Sequence, residues 1–514
     1  MSAAASSTSQ PAPVTVTTTA GAVRGSRAGR PGIAAFLGIP YAEPPVGPLR
    51  FAAPQPARPW DGVRDAGAYG PPPPQAGALG MDVLAGGDAD ESWLTVNVWT
   101  PEPDPGARLP VLVWIPGGAY VIGTAALPEY DGALLASGGA VVVTLNYRLG
   151  IEGFALLDGA PANRGLLDQV AALEWVRDNI AAFGGDPDRV TVFGQSAGGG
   201  SVAALLAVPR AAGLFRRAVA QSVQGTFFSP ELAADVAAAC AAELGLRPTA
   251  ADFATVHPAR LPAAGDAVSA KIAGWRDQWG PITSRPIPFA PVVDGEVLPV
   301  TPWQALAAGA GRDVGLLVTL ARDEHRLFSL IDGVLGQVSE EQADTALHLL
   351  APGPDGARRY REAQPGAGPE ELYELVNSDW LFRMPSLFLA EAQRAGGGRV
   401  HVAELTWSAP GLGGILGACH GLDVPLVFGN LAAGQPAALI GDLPNPEAEA
   451  LSAAMRTAWT SFAAHGDPGW PAYEAGQRLV RLLDVPPAVA ADPEGPSRRL
   501  WQDHAFAPLP LITG

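Results

Sequence analysis

Ser196 lies in Gly194-Gln195-Ser196-Ala197-Gly198, directly after the β-rich run Arg189 to Phe193 and before the apolar helical stretch Ser201 to Val208. A serine in an ordinary turn needs no such framing. A serine held exposed on a strained strand-to-helix turn does, because side chains on its neighbours would collide with the strand and the helix. The pentapeptide fits the G-x-S-x-G elbow, but in a chain of 62 glycines the context carries the weight. The plain alternative is a glycine-rich turn closing a strand–helix unit, which needs no partners. A nucleophilic serine needs a base, an acid behind the base, and donors for an oxyanion.

Histidine is the base suited to neutral pH, and seven compete: His257, His325, His348, His401, His420, His465 and His504. His257 and His504 sit beside turn-like segments, and His348 and His401 lie within element-like runs, where surface or packing roles suffice. His420 stands on the glycine-flanked loop of "GILGACHGLDVPLVFG", after the strand-like "RVHVAELTW". In the chain order serine, acid, histidine, the base comes last and from such a loop. His465 in "FAAHGDP" is the rival, at what reads as a helix C-terminus where a cation complements the dipole. The acid belongs between serine and histidine, after a strand, to fix the imidazole tautomer. "DVGLLVTLARDEHRLF" supplies Asp323 and Glu324 there. The plain alternative is a solvated charged turn, and the residues alone leave the choice between the two carboxylates open. For the oxyanion, "VLVWIPGGAYVIG" ends a strand in small residues, so the amides of Gly118 and Ala119 with that of Ala197 would make three donors.

These groups need a scaffold. "LPVLVWIPGG", "GAVVVTLNY" and "RVTVFGQS" are short apolar runs ending in Gly or polar residues, as buried parallel strands do. Between the last two, Leu166, Val170, Leu173, Val176 and Ile180 recur at helical spacing, and "FGGDP" stops that helix. Strand, helix, strand is a βαβ unit, so the chain is expected to be α/β with a mostly parallel sheet and antiparallel strands near the N-terminus. "RRAVAQSV" and "VGLLVTLA" extend the sheet, and helical insertions around 227–289 and 330–399 are expected to cover the site. Residues 353–369 read as a Pro/Gly-rich loop and Pro71 to Pro74 as a rigid surface segment. The expected organisation is a disordered tail over 1–13 and a single domain over 14–514.

Of 514 residues, 48% are hydrophobic and 16% charged, which suits a large buried core. A net charge of −18 argues against nucleic acid as a partner, and no apolar run is long enough for a membrane span. The start has neither the basic nor the apolar block of a signal peptide, so a cytoplasmic location is expected. Cys240 and Cys419 are expected to be free, buried thiols, and no metal or other cofactor is implied. A monomer is compatible with all of this.

The chain resembles the type-B carboxylesterases, the cholinesterase-like family with its bacterial para-nitrobenzyl esterase branch. The likeness runs from about Val14 to about Phe506 through "FLGIPYAEPPVGPLRF", "LNYRLGIEGF", "NRGLLDQVAALEWVRDNIAAFGGDPDRVTVFGQSAGG", "FAPVVDGEVLP" and "AWTSFAAHGDP". It implies an α/β-hydrolase fold and a serine esterase, for which neutral, small or medium esters are expected because an alkoxide leaves with less help from the general acid than an amine. Its triad would be Ser196, Glu324 and His420, its oxyanion donors Gly118, Ala119 and Ala197, and Ser222 a supporting hydroxyl. Three departures stand out. Pro116 occupies the place of the family's usual histidine before the glycines, and Ser92 that of a cysteine, which removes the family's N-terminal disulfide. Cys419 beside the implied base is unusual and reads as packing. Two other functions compete with the esterase: a non-catalytic binding protein, disfavoured because all three triad positions are filled, and a triad hydrolase acting on a lactone, carbamate or amide.

Overall fold

The computed structural model describes residues 13–27, 30–76 and 91–513, so the tail expected over 1–13 lies outside the described residues apart from Pro13. The strands are β1 (Val14–Thr17), β2 (Ala22–Gly25), β3 (Ala34–Pro40), β4 (Val63–Asp65), β5 (Thr95–Thr100), β6 (Leu109–Ile115) and β7 (Val141–Leu145). After them come β8 (Gly185–Gln195), β9 (Arg217–Gln221), β10 (Gly315–Ala321), β11 (Val400–Leu405), β12 (Leu479–Leu483) and β13 (Ala488–Ala491). The main sheet has the order β13-β12-β11-β10-β9-β8-β6-β7-β5-β3, and β1, β2 and β4 form a small sheet of their own. From β7 to β12 every pairing is parallel. The pairs β3–β5, β5–β7 and β12–β13 are antiparallel. The expected mostly parallel sheet with antiparallel N-terminal strands is therefore what forms.

The central strands read as unbroken apolar runs because both of their faces are covered. Val111, Val113 and Ile115 of β6 enter one core while Leu112 and Trp114 enter the other, the period-2 alternation of a strand. The helix Arg164–Asn179 lays Leu166, Val170, Leu173 and Val176 on the first core, and Gly184 at φ 84° turns the chain into β8. Behind β7, the fully buried Arg148 makes a two-pronged ion pair with Asp168 of this helix, at 2.7 and 2.8 Å. Removing one partner of such a pair costs about 3–5 kcal/mol, because it strands a buried charge.

Three details differ from the sequence reading. Pro71 to Pro74 is not a purely surface segment: Pro73 is buried, and Pro71 accepts a hydrogen bond from Asn146 Nδ2 at 3.2 Å. Residues 353–369 are not all loop, since Gly356–Ala363 is a helix anchored by the buried Tyr360. The helical run that starts at Pro369 passes through a wider turn at Asp379–Arg383, which re-aims Phe382 and Arg383 before the helix Met384–Ala395.

Candidate active site

Ser196 falls between the end of β8 and the helix Ala197–Ala207, at φ 61° and ψ −125°. A serine rarely holds such a conformation unless its surroundings impose it. Here they do. Its N–H donates to the Gln221 carbonyl of β9 at 3.0 Å. A Cβ on Gly194 would lie 2.6 Å from the Gly198 carbonyl group, and one on Gly198 would strike the Ile115 carbonyl oxygen. The glycines therefore let strand and helix close to backbone contact, and the turn lifts the serine out at the C-terminal edge of the sheet.

The loop after β6 folds onto this turn. A Cβ on Gly117 would sit 3.3 Å from Ser196 Cβ, and Gly118 and Ala119 have φ values of 115° and 55°. Among the described residues, the amides of Gly118, Ala119 and Ala197 donate no backbone hydrogen bond, which leaves three donors beside the serine. Pro116 does not loosen this loop. Its carbonyl accepts from the buried Tyr147 hydroxyl at 2.8 Å, and Gln75 clamps Gly123 with bonds of 2.8 and 3.0 Å.

The structure separates the two carboxylates left open by the sequence. Glu324 is fully buried at the end of β10, where its Oε1 accepts the Ala321 N–H at 2.8 Å and its Oε2 accepts from His420 Nδ1 at 2.7 Å. With Nδ1 as donor, Nε2 is left as the acceptor that a base requires. Asp323 points instead at the histidine loop: its Oδ2 accepts the Ala418 N–H at 2.9 Å, and Arg326 lies 3.2 Å from its other oxygen. Phe382 stacks on the His420 ring with centroids 4.1 Å apart, and Phe328 packs beside it at 5.2 Å. Ser222 follows β9 at φ 45°, buried, with its N–H on the Thr319 carbonyl at 2.7 Å.

The other histidines serve elsewhere. His465 ends the helix Pro446–His465, His257 caps a short turn, His348 lies on the helix Glu340–Leu350, His401 is in β11, and His504 packs on Trp501. His325 is buried beside Glu324 with its Nδ1 on Ser329 at 3.3 Å, and burial holds its pKa well below the ordinary histidine value. Asp423, also buried, accepts from Gln221 Nε2, and burial pushes its carboxyl up to about 6. Cys240 and Cys419 are free and buried, with burial raising both thiols to about 12. Among the described residues, no set of three or more His, Cys, Asp or Glu side chains is arranged to hold a metal ion.

A cavity of about 270 Å³ opens beside this group, and its walls include Ala119, Leu149, Phe289, Phe328 and Ile331. Ala119 ties the cavity to the glycine loop after β6, and Phe328 ties it to the histidine.

The Carboxylesterase family profile matches residues 12–483. The chain belongs to that family. It is 39% identical to the para-nitrobenzyl esterase of Bacillus subtilis (strain 168) over 496 residues, covering 94% of this chain and 97% of that protein. It is 33% identical to the phenmedipham hydrolase of Pseudarthrobacter oxydans, covering 88% and 92%. A Geobacillus stearothermophilus carboxylesterase superposes with a TM-score of 0.83 at 37% identity, covering 95% of this chain and all of that one. A solved para-nitrobenzyl esterase superposes at 0.82, also at 37% identity, covering 95% and 99%. The fold is the α/β-hydrolase fold, and this carboxylesterase is a carboxylic ester hydrolase. No helix among the described residues is long and apolar enough to cross a membrane.

Sequence reasoning missed the groups that hold the site: Gln195 and Phe382 on the imidazole, Tyr147 and Gln75 on the oxyanion loop, and Asp423 behind Gln221. Gln195, Tyr147 and Asp423 stood within quoted stretches, but their partners did not show there. Phe382 and Gln75 arrive from distant segments and carried no local signal.

Proposed function

We propose that this carboxylesterase cleaves small and medium neutral esters through an acyl-enzyme on Ser196. His420 Nε2 takes the proton from Ser196 Oγ as Oγ attacks the ester carbonyl. Glu324 orients the ring through Nδ1 and stabilises the imidazolium that forms. The oxyanion accepts from the amides of Gly118, Ala119 and Ala197, donors fixed before the charge develops. The alkoxide leaves with the proton from His420, and water repeats the sequence on the acyl group. Ser222 supports the triad from the end of β9. The cavity beside Ala119 and Phe328, mostly apolar, suits a neutral acyl or alcohol arm. A cytoplasmic setting belongs to the same reading, in keeping with free, buried cysteines.

The observation that carries this reading is the 2.7 Å bond between buried Glu324 and His420, next to a strained serine turn. Treatment with an organophosphate followed by intact-mass analysis and peptide mapping should give one adduct, on the peptide holding Ser196. Ser196→Ala should abolish the adduct and lower kcat on the order of 10³-fold or more. Labelling elsewhere, with full activity in the alanine variant, would overturn the assignment.

A further inference from the structure

Gln195 precedes the candidate nucleophile and is buried, yet the chemistry above gives it no part. Its carboxamide nitrogen lies 3.1 Å from His420 Nε2 and 3.4 Å from Nδ1. Near-equal approach to both nitrogens places it over the ring, because an in-plane atom that close to both would collide with the carbon between them. Phe382 covers the opposite face: a ring stacked at 4.1 Å leaves no room for an amide on its own side. Of the two imidazole nitrogens, Nδ1 is taken in the ring plane by Glu324 at 2.7 Å. Nε2 keeps its in-plane lone pair free, which Gln195 does not occupy.

We propose that Gln195 is a positioning residue that sandwiches the His420 ring against Phe382 and presents an uncharged group to its face. An N–H over an aromatic face is a weak attraction to the neutral ring and is disfavoured once the ring is cationic. The ionisable groups already facing that ring are Glu324, Asp423 and His325, and a carboxylate at position 195 would join the two acids in stabilising the imidazolium. The side chain thus acts on the base from the residue next to the nucleophile, so ring and elbow move as one unit. This rests on His420 being the base.

The test is the pH dependence of kcat/KM for a para-nitrophenyl ester, measured on the full chain with Gln195→Glu, Gln195→Met and His420→Ala. In Gln195→Glu the acid limb should move upward by roughly one pH unit, a shift that belongs to the introduced carboxylate and His420 as a pair rather than to either group alone. Gln195→Met keeps the volume and loses the N–H. Its limb should move by far less, and kcat should fall about tenfold with KM little changed, since a loosened base affects proton transfer and not binding. Thermal melting of each variant separates these effects from unfolding. An unmoved limb in Gln195→Glu, together with parent-like kcat in Gln195→Met, would overturn the proposal while a dead His420→Ala left the base assignment standing. An active His420→Ala would instead overturn the reading on which the proposal rests.

Discussion

The serine turn and the histidine loop meet at one site but are held by different means. Around Ser196 the restraint is backbone on backbone: Gly194 against Gly198, Gly198 against Ile115, and the Ser196 N–H on Gln221. Around His420 it is side chain on loop: Asp323 on Ala418, Glu324 on Nδ1, and Phe382 and Gln195 on the two ring faces. The first arrangement tolerates no added atom, and its partners are backbone atoms of the neighbouring strands at Ile115 and Gln221. The second tolerates local change but depends on side chains brought in from several segments, from Phe382 at 38 positions to Gln195 at 225. A nucleophile must present one oxygen at one point, and close backbone packing fixes a point. A base must carry a proton between groups, and a ring held by separable contacts keeps its plane while its charge changes.

That contrast can be broken at either end. The largest effect is expected at Glu324. Glu324→Gln removes the charge behind the imidazolium and can turn the wrong face of an amide to Nδ1, so kcat should drop about 10³-fold with an unchanged melting temperature. A variant that retained more than a tenth of parental kcat would detach the acid from the histidine. Next comes Gly198→Ala. Its Cβ meets the Ile115 carbonyl, which is backbone and cannot swing away. Overpacking of this kind costs about 1–3 kcal/mol, so both stability and turnover should fall together. If denaturant unfolding showed no loss, the turn would not be held as closely as its contacts indicate. Asp323→Asn should be milder than either, with less than about a tenfold loss of kcat/KM, because an amide oxygen can still accept the Ala418 N–H. An Asp323→Asn variant as inactive as Glu324→Gln would exchange the roles of the two carboxylates.

The same contrast decides what the sequence could reveal. Backbone packing demands glycine at fixed offsets from the serine, so Gly194 and Gly198 announce the turn, and the apolar runs of β6, β7 and β8 announce the sheet beneath it. Side-chain restraint has no such grammar. Asp323 beside Glu324 looks like any charged turn until the Ala418 N–H is in view, and Phe382 looks like one more apolar residue in a helical stretch. It sits on the imidazole from within a widened helical turn at Asp379–Arg383, a local departure that periodicity does not encode. The Pro71 to Pro74 segment hides its role for the same reason. Proline content gives stiffness, but not the Gln75 clamp that stiffness delivers to Gly123.

The smallest expected effect sharpens the comparison from behind the site. Asp423 is buried, and its carboxyl is pushed by burial from 3.8 to about 6, with the nearby Glu324 charge adding to the shift. A carboxyl whose folded pKa lies above its unfolded value binds its proton more tightly in the native state. Its contribution to stability is therefore present below about pH 4 and is lost as pH rises through about 6, by at most about 3 kcal/mol. Gln221 offsets part of this by donating its amide nitrogen to the carboxylate, an orientation fixed because its Oε1 accepts from Trp459 Nε1 at 3.0 Å. Asparagine at 423 would still offer an oxygen to that nitrogen but could not ionise. Asp423→Asn should therefore melt near the parent at pH 4 and a few degrees above it at pH 8, with an intermediate gain at pH 5, read by differential scanning calorimetry at the three pH values. A variant that melted below the parent at pH 8 would mean that the ionised carboxylate is a net stabilising member of the histidine loop's support. In that case burial would not be the dominant influence on Asp423.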